Sequence, residues 1–222
     1  MLSLVAHSAD ELAGALASPG GFAWWYADLV DEQGRALVLI WSFGLPFLPG
    51  SRARALPTER PALSLATYED CRCTFYMLQT YAPDAASVES EGQVRLGDSR
   101  FRLVRTGREL ALEAELDLPL PDGGRLRGAV TAHGAACLAP AAHGGASASP
   151  QRWAPTLAAA SGSAELRSEG YGFRLRGRAY VDANTSPQPL HELGIASWRW
   201  GRVALPGRDL IFYFVESERR RA

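Results

Sequence analysis

The sequence predicts an all-β, antiparallel protein, a barrel or sandwich with one short N-terminal helix. Short runs that alternate apolar and polar residues recur along the chain, and Gly-, Asp- and Pro-rich turn signals separate them. In the run ELALEAELDL the alternation is unbroken, so Leu110, Leu112, Ala114, Leu116 and Leu118 are expected inward and the acids outward. Helical spacing, by contrast, is confined to the N-terminal region.

Each element has its own signal. Ser8 to Leu16 opens on a capping residue, carries Glu11 three positions later and places Leu12, Ala15 and Leu16 near helical spacing; Gly20-Gly21 ends it. FAWWYADLV and RALVLIWSFG flank the turn Asp31-Glu32-Gln33-Gly34 and read as a hairpin. ALSLATYED, CRCTFYMLQTY, QVRLG, SRFRLVRTG, ELALEAELDLPL and RLRGAVTAHG follow as strands, punctuated by Gly97-Asp98-Ser99 and Pro121-Asp122-Gly123-Gly124. A second series contains AELRS, YGFRLRGRAYVDAN, SWRWGRVAL and RDLIFYFVE, with a tight connection at Gly207-Arg208-Asp209 and a frayed basic tail from Glu218 to Ala222. Between the two series, residues 135–150 are rich in Ala, Gly, Ser and Pro without periodicity. This divides the chain into an N-terminal β half over 1–134, a loop over 135–150 and a C-terminal β half over 151–222. A barrel of such strands would enclose a cavity.

Bulk composition narrows the function classes. In 222 residues, 47% hydrophobic content suffices for a substantial core, and 23 basic against 24 acidic residues argue against nucleic acid as a partner. Cys71, Cys73 and Cys137 are an odd number and read as buried reduced thiols, and no metal-ligand spacing occurs among the four histidines. The N-terminal MLSLVAHSADELAGAL lacks a basic leader, and no segment reaches about 18 apolar residues. The expected location is cytoplasmic, at most peripheral to the inner membrane.

The chemistry concentrates between Gly177 and Trp200. Alternation in a strand sets Tyr180, Asp182 and Asn184 on one face and Ala179, Val181 and Ala183 on the other, with a Trp-x-Trp pair close behind. Polar groups gathered on an apolar face are expensive unless they bond to each other or do chemistry, and an acid among aromatic rings suggests cation chemistry. The plainer reading has Asp182 capping the turn at Asn184-Thr185-Ser186 and the aromatic rings packed in the core.

These residues resemble the carotenoid 1,2-hydratases, or hydroxyneurosporene synthases. Tyr180, Asp182, Asn184, Pro189, Leu190, Trp198, Trp200 and Arg202 match the family's motifs in order. Gln151-Arg152-Trp153-Ala154-Pro155 looks like its His-x-Trp-x-Pro segment, and Trp24 to Asp28 with the Gly34-Arg35 turn looks like its first strand pair. The resemblance implies a lipocalin-like architecture in two related β halves, and an enzyme that needs no organic cofactor and acts on an apolar polyene or isoprenoid. It implies catalytic roles for Asp182 as general acid and for Tyr180 and Trp153 as aromatic stabilisers of a carbocation. Gln151, Asn184, Tyr26, Trp198 and Trp200 would contact substrate.

The chain departs from the pattern at Gln151, where the family's histidine could hold a proton and an amide cannot, and at Thr185-Ser186 after Asn184. His191 is close in sequence, but a lone loop histidine is ordinarily solvated. Three activities fit: hydration of a terminal alkene, cyclisation of the kind catalysed by lipocalin-like terpene or polyene cyclases and Diels–Alderases, and non-catalytic carriage of an apolar ligand.

Overall fold

Alternation gives the central strands two unlike faces, and the architecture follows from how each is covered. The computed structural model describes residues 9–47, 54–89, 93–137, 151–206 and 208–217. Helix α1 (Ala9–Ala17) is followed by β1 (Phe22–Val30), β2 (Ala36–Phe43), β3 (Pro61–Glu69), β4 (Arg72–Thr80), β5 (Ala86–Val88), β6 (Gln93–Leu96), β7 (Ser99–Thr106), β8 (Glu109–Pro119) and β9 (Arg125–Ala135). Then come β10 (Arg152–Ser168), β11 (Tyr171–Ser186), β12 (Ile195–Leu205) and β13 (Arg208–Ser217). Eleven strands make one sheet in the order β4-β3-β2-β1-β11-β10-β9-β8-β7-β6-β5, and β12 pairs with β13 as a separate hairpin. Every pairing is antiparallel.

One face of the sheet is a packed core. Trp25, Leu39, Trp41, Leu63, Val181 and Ala183 are buried on it, and the sheet curls until they meet Phe101, Leu112 and Val130 from its other end. Trp41 stacks on Phe101 with ring centroids 4.2 Å apart, and Trp25 lies 6.0 Å from the same ring. The alternation read in β8 holds, since Leu110, Leu112, Ala114, Leu116 and Leu118 are all buried. Burial of apolar surface, at about 25 cal/mol per Å², is the main force behind the curl. The inside of the curl is thus filled by side chains. The ligand-sized space expected inside a barrel lies instead on the opposite face, beneath the β12–β13 hairpin.

Two joints place the central strands. At the β1–β2 turn the Asp31 carboxylate accepts from the backbone N–H of Gln33 and Arg35 at 3.0 and 2.9 Å, and Gly34 takes a φ of +78° that a side chain would oppose. Gly177 in β11 lets β1 approach, because a Cβ there would stand 2.1 Å from the Val30 carbonyl oxygen. Sheet hydrogen bonding links the segments on either side of residues 135–150 twice, β1 to β11 and β9 to β10. Most of that loop, Ser8, Gly207 and the tail from Glu218 lie outside the described residues.

Several sequence expectations need correction. β10 is far longer than AELRS, because its Ala/Gly/Ser composition has weak strand propensity while pairing with both β9 and β11 holds it extended. The three-residue β5 carries too little pattern to be read. Cys71 and Cys73 are exposed rather than buried. Asp70 and Cys71 have φ of 49° and 60° at the tip of the β3–β4 turn, and the register slip opposite Thr67 and Tyr68 leaves Cys73 on the outer side of an edge strand. Among the described residues, no helix is long and apolar enough to cross a membrane.

Candidate active site

The face opposite the core carries the site, and strand register assembles it. Trp24 stands opposite Asn184, Tyr26 opposite Asp182 and Asp28 opposite Tyr180, while β10 adds Trp153 opposite Asn184. Pro155 lacks a backbone donor, and β10 bulges on its far side, where Thr156 donates to the Val181 carbonyl at 2.9 Å and the N–H of Ala159 is taken up by Asp209 at 2.8 Å. The hairpin covers this patch with Trp198, Trp200 and Tyr213. Between sheet and hairpin lies a cavity of about 470 Å³.

Asp182 is the chemical centre. Only 4% of the residue is exposed. Its Oδ2 accepts from the Trp153 indole N–H and the Tyr180 hydroxyl, each at 3.0 Å, and its Oδ1 accepts from the Asn184 amide at 3.2 Å. Burial disfavours the ionised form, whereas the donations from Trp153, Tyr180 and Asn184 favour it; burial wins, helped by the neighbouring Asp28, and the carboxyl is pushed up to about 7. Burial and Asp182 hold the Tyr180 hydroxyl well above its usual range, so it stays a donor.

Aromatic rings surround this acid. Trp153 stacks on Tyr213 at 4.9 Å, and Tyr26, Tyr180 and Trp200 form a cluster with centroid distances of 5.3 to 6.3 Å. Gln151 donates to the Tyr213 hydroxyl at 3.0 Å and to Asn184 Oδ1 at 3.3 Å, so the amide supports the second ring of groups around Asp182. The structure thus brings together Tyr26, Gln151, Trp153, Tyr180, Asp182, Asn184 and Trp200. Tyr26, Trp153, Asp182, Asn184 and Trp200 line the cavity, as does Trp198 beside Phe47, 5.9 Å away. Gln151 and Tyr180, both expected to meet substrate, are not among the lining residues and reach the site through hydrogen bonds to Asn184 and Asp182. His191 does not join them: its half-exposed side chain lies 3.8 Å from Glu192.

A second buried carboxyl was missed as a site residue. Asp28 sits beneath Tyr26, which hydrogen-bonds to it, and Arg202 pairs with it at 2.5 Å. Burial pushes Asp28 up to about 6 despite the Arg202 guanidinium. Arg202 also reaches Asp209 at 3.3 Å, and Arg178 of β11 pairs with Asp209 as well, so a chain of charges clamps the hairpin to the sheet. Alternation with Tyr26 could have flagged Asp28. No sequence pattern ties Tyr213 or Asp209 to the site, because a separate hairpin brings them back over it. Among the described residues no cluster of His, Cys, Asp and Glu has the makings of a metal centre.

A curled antiparallel sheet with a buried acid in an aromatic, apolar cavity makes this a lipocalin-like protein. Its fold resembles that of a putative AttH from Nitrosomonas europaea, with a TM-score of 0.61 at 14% identity over 98% of this chain and 67% of that one. Residues 37–221 match the family model of carotenoid hydratase CrtC, and the chain belongs to that family. It is 29% identical over 211 residues to the acyclic carotenoid 1,2-hydratase of Rubrivivax gelatinosus, covering 90% of this chain and 50% of that protein. It is 27% identical to the enzyme of the same name from Thiocapsa roseopersicina, over 89% and 48%. A hydroxyneurosporene dehydrogenase of Chlorobaculum tepidum is 26% identical, over 96% and 62%. The chain spans about half the length of the two hydratases.

Proposed function

We propose that this chain hydrates the terminal alkene of an acyclic carotenoid or related isoprenoid, with Asp182 as the general acid. The observation that carries the reading is a buried carboxyl, held near neutrality and facing an aromatic cavity. Oδ2 already accepts two donors and Oδ1 only one, so Oδ1 carries the transferable proton. The O–H bond of Asp182 breaks as a C–H bond forms from the alkene π pair, leaving a tertiary cation. The rings of Trp153 and Trp200, which line the cavity, stabilise that charge through their faces, while Tyr180, fully buried with Arg202 over its ring, acts through its hydrogen bond to Asp182. Water adds to the cation, and the proton it sheds returns to the Asp182 carboxylate, so the enzyme is regenerated and one water is consumed. Incubation with an acyclic carotenoid is expected to give a product heavier by one water; unchanged substrate throughout would overturn the reading.

The pH dependence tests the acid directly. Asp182 must be protonated to act, so turnover is expected to fall as pH rises through about 7. Trp153→Phe keeps a ring but deletes the indole donor that favours the carboxylate, and is expected to move this alkaline limb to higher pH. A pH–rate profile checks the sign, and a limb unmoved or shifted down would separate Trp153 from Asp182.

Gln151 supports a second reading, cyclisation, because its amide orients groups without accepting a proton from attacking water. Gln151→His is expected to raise the share of hydrated product over cyclised product of unchanged mass. Wild-type protein giving only cyclic isomers, with Gln151→His no different, would put cyclisation in place of hydration.

A further inference from the structure

Resting on the reading of an acyclic polyene substrate, we propose that its distal chain lies across the sheet strands and leaves the protein over edge strand β4, at Leu78. Register defines the path: Asp182 stands opposite Tyr26, Tyr26 opposite Ile40, Ile40 opposite Ser64 and Ser64 opposite Leu78. Four interstrand steps at about 4.8 Å put Leu78 roughly 19 Å from Asp182. All five residues line the one cavity. Apart from Asp182 at its inner end, the row carries no charged side chain, and Ser64 in the middle leaves a shallow floor between two larger apolar residues. Phe47 lines the same cavity, 5.9 Å from both Trp24 and Trp198.

The outer end is open. Among the described residues β4 pairs with β3 alone, and its cavity-lining residues Tyr76 and Leu78 are 64% and 49% exposed, as Phe47 of the same lining is 65% exposed. Apolar side chains that both line a ligand cavity and reach solvent mark where a long apolar ligand continues outward. A space of about 470 Å³ encloses a drug-sized molecule, and a polyene of carotenoid length is larger than a molecule of that size. The acid end therefore selects the terminal alkene, and the row from Ile40 to Leu78 selects chain length.

The test compares wild type, Leu78→Asp, Leu78→Met and Ser64→Leu on two substrates that share the terminal trisubstituted alkene, one of carotenoid length and one of ten carbons. Wild type is expected to favour the long substrate in kcat/KM by about tenfold or more. Leu78→Asp puts a charge at the exit and Ser64→Leu fills the floor; each is expected to lower the long-to-short ratio about tenfold, while Leu78→Met preserves it. A wild type indifferent to length, or a ratio unmoved in both disruptive variants, overturns the path. Turnover of neither substrate counts against hydration alone, and the path is then judged by quenching of tryptophan fluorescence. The long polyene is expected to bind Leu78→Asp and Ser64→Leu about tenfold more weakly than wild type, and equal Kd values overturn the path. Circular dichroism verifies that each variant is folded; should one fail, the other supplies the reading.

Discussion

Asp182→Asn is expected to abolish turnover while making the protein more heat-stable above neutral pH. The amide matches the carboxyl in size and keeps an oxygen for the Trp153 and Tyr180 donors, but it has no proton to give to an alkene. General acid catalysis is worth on the order of 10²–10⁴-fold, so the loss should fall in that range or beyond. Stability moves the other way. Burial has raised the folded-state carboxyl to about 7 from an ordinary 3.8. Its stabilising protonation is fully present below about pH 4 and is lost as pH rises through about 7, at a cost on the order of 4 kcal/mol. The variant never ionises, so its Tm at pH 8 should exceed that of wild type by roughly 5 °C or more. Scanning calorimetry at pH 5 and 8, beside a product assay, separates the two effects. Turnover close to wild type would remove Asp182 from the chemistry, and an unchanged pH dependence of Tm would show that its carboxyl is not held near neutrality.

The second large effect belongs to Arg202→Met. The Arg202 side chain is 10% exposed and sits between those of Asp28, 8% exposed, and Asp209, 0% exposed, with its guanidinium centre 5.8 Å over the Tyr180 ring. Removing one partner of a buried ion network leaves carboxylates without compensation, which typically costs about 3–5 kcal/mol. In a domain of this size that is a drop in Tm of roughly 10 °C. The loss should grow with pH, since Asp28 titrates at about 6 and is the more fully ionised the further pH rises above that. Arg202→Met with Asp28→Asn should recover part of it, because the amide removes one of the stranded charges. Thermal melts of the single and double variants at pH 5 and 8 measure this. A single variant as stable as wild type would mean that Arg202 does not clamp the hairpin.

Much of the site was legible because β-strand geometry is periodic. Tyr180, Asp182 and Asn184 sit two apart, so any extended conformation puts them on one side, and the side chains between them are small and apolar as a core face requires. The same logic read β8 and the β1–β2 hairpin correctly. Trp153 was reached through the motif it shares with a known family, since nothing local in an Ala/Pro-rich run marks it.

What the sequence by itself determined is which side chains travel together: the alternation of each strand, the turns at Gly34 and Gly123, and the trio of Tyr180, Asp182 and Asn184. Tertiary structure alone decided which face became the core and which became the site. It put the cavity outside the curl, set Tyr26 opposite Asp182, brought Tyr213 and Asp209 back on a separate hairpin and left Cys71 and Cys73 in solvent. The physical reason is that periodicity acts within a strand, whereas register, curl and hairpin docking depend on contacts between residues far apart in the chain. Buried charge pairs such as Arg202 with Asp28 become visible only once those residues meet.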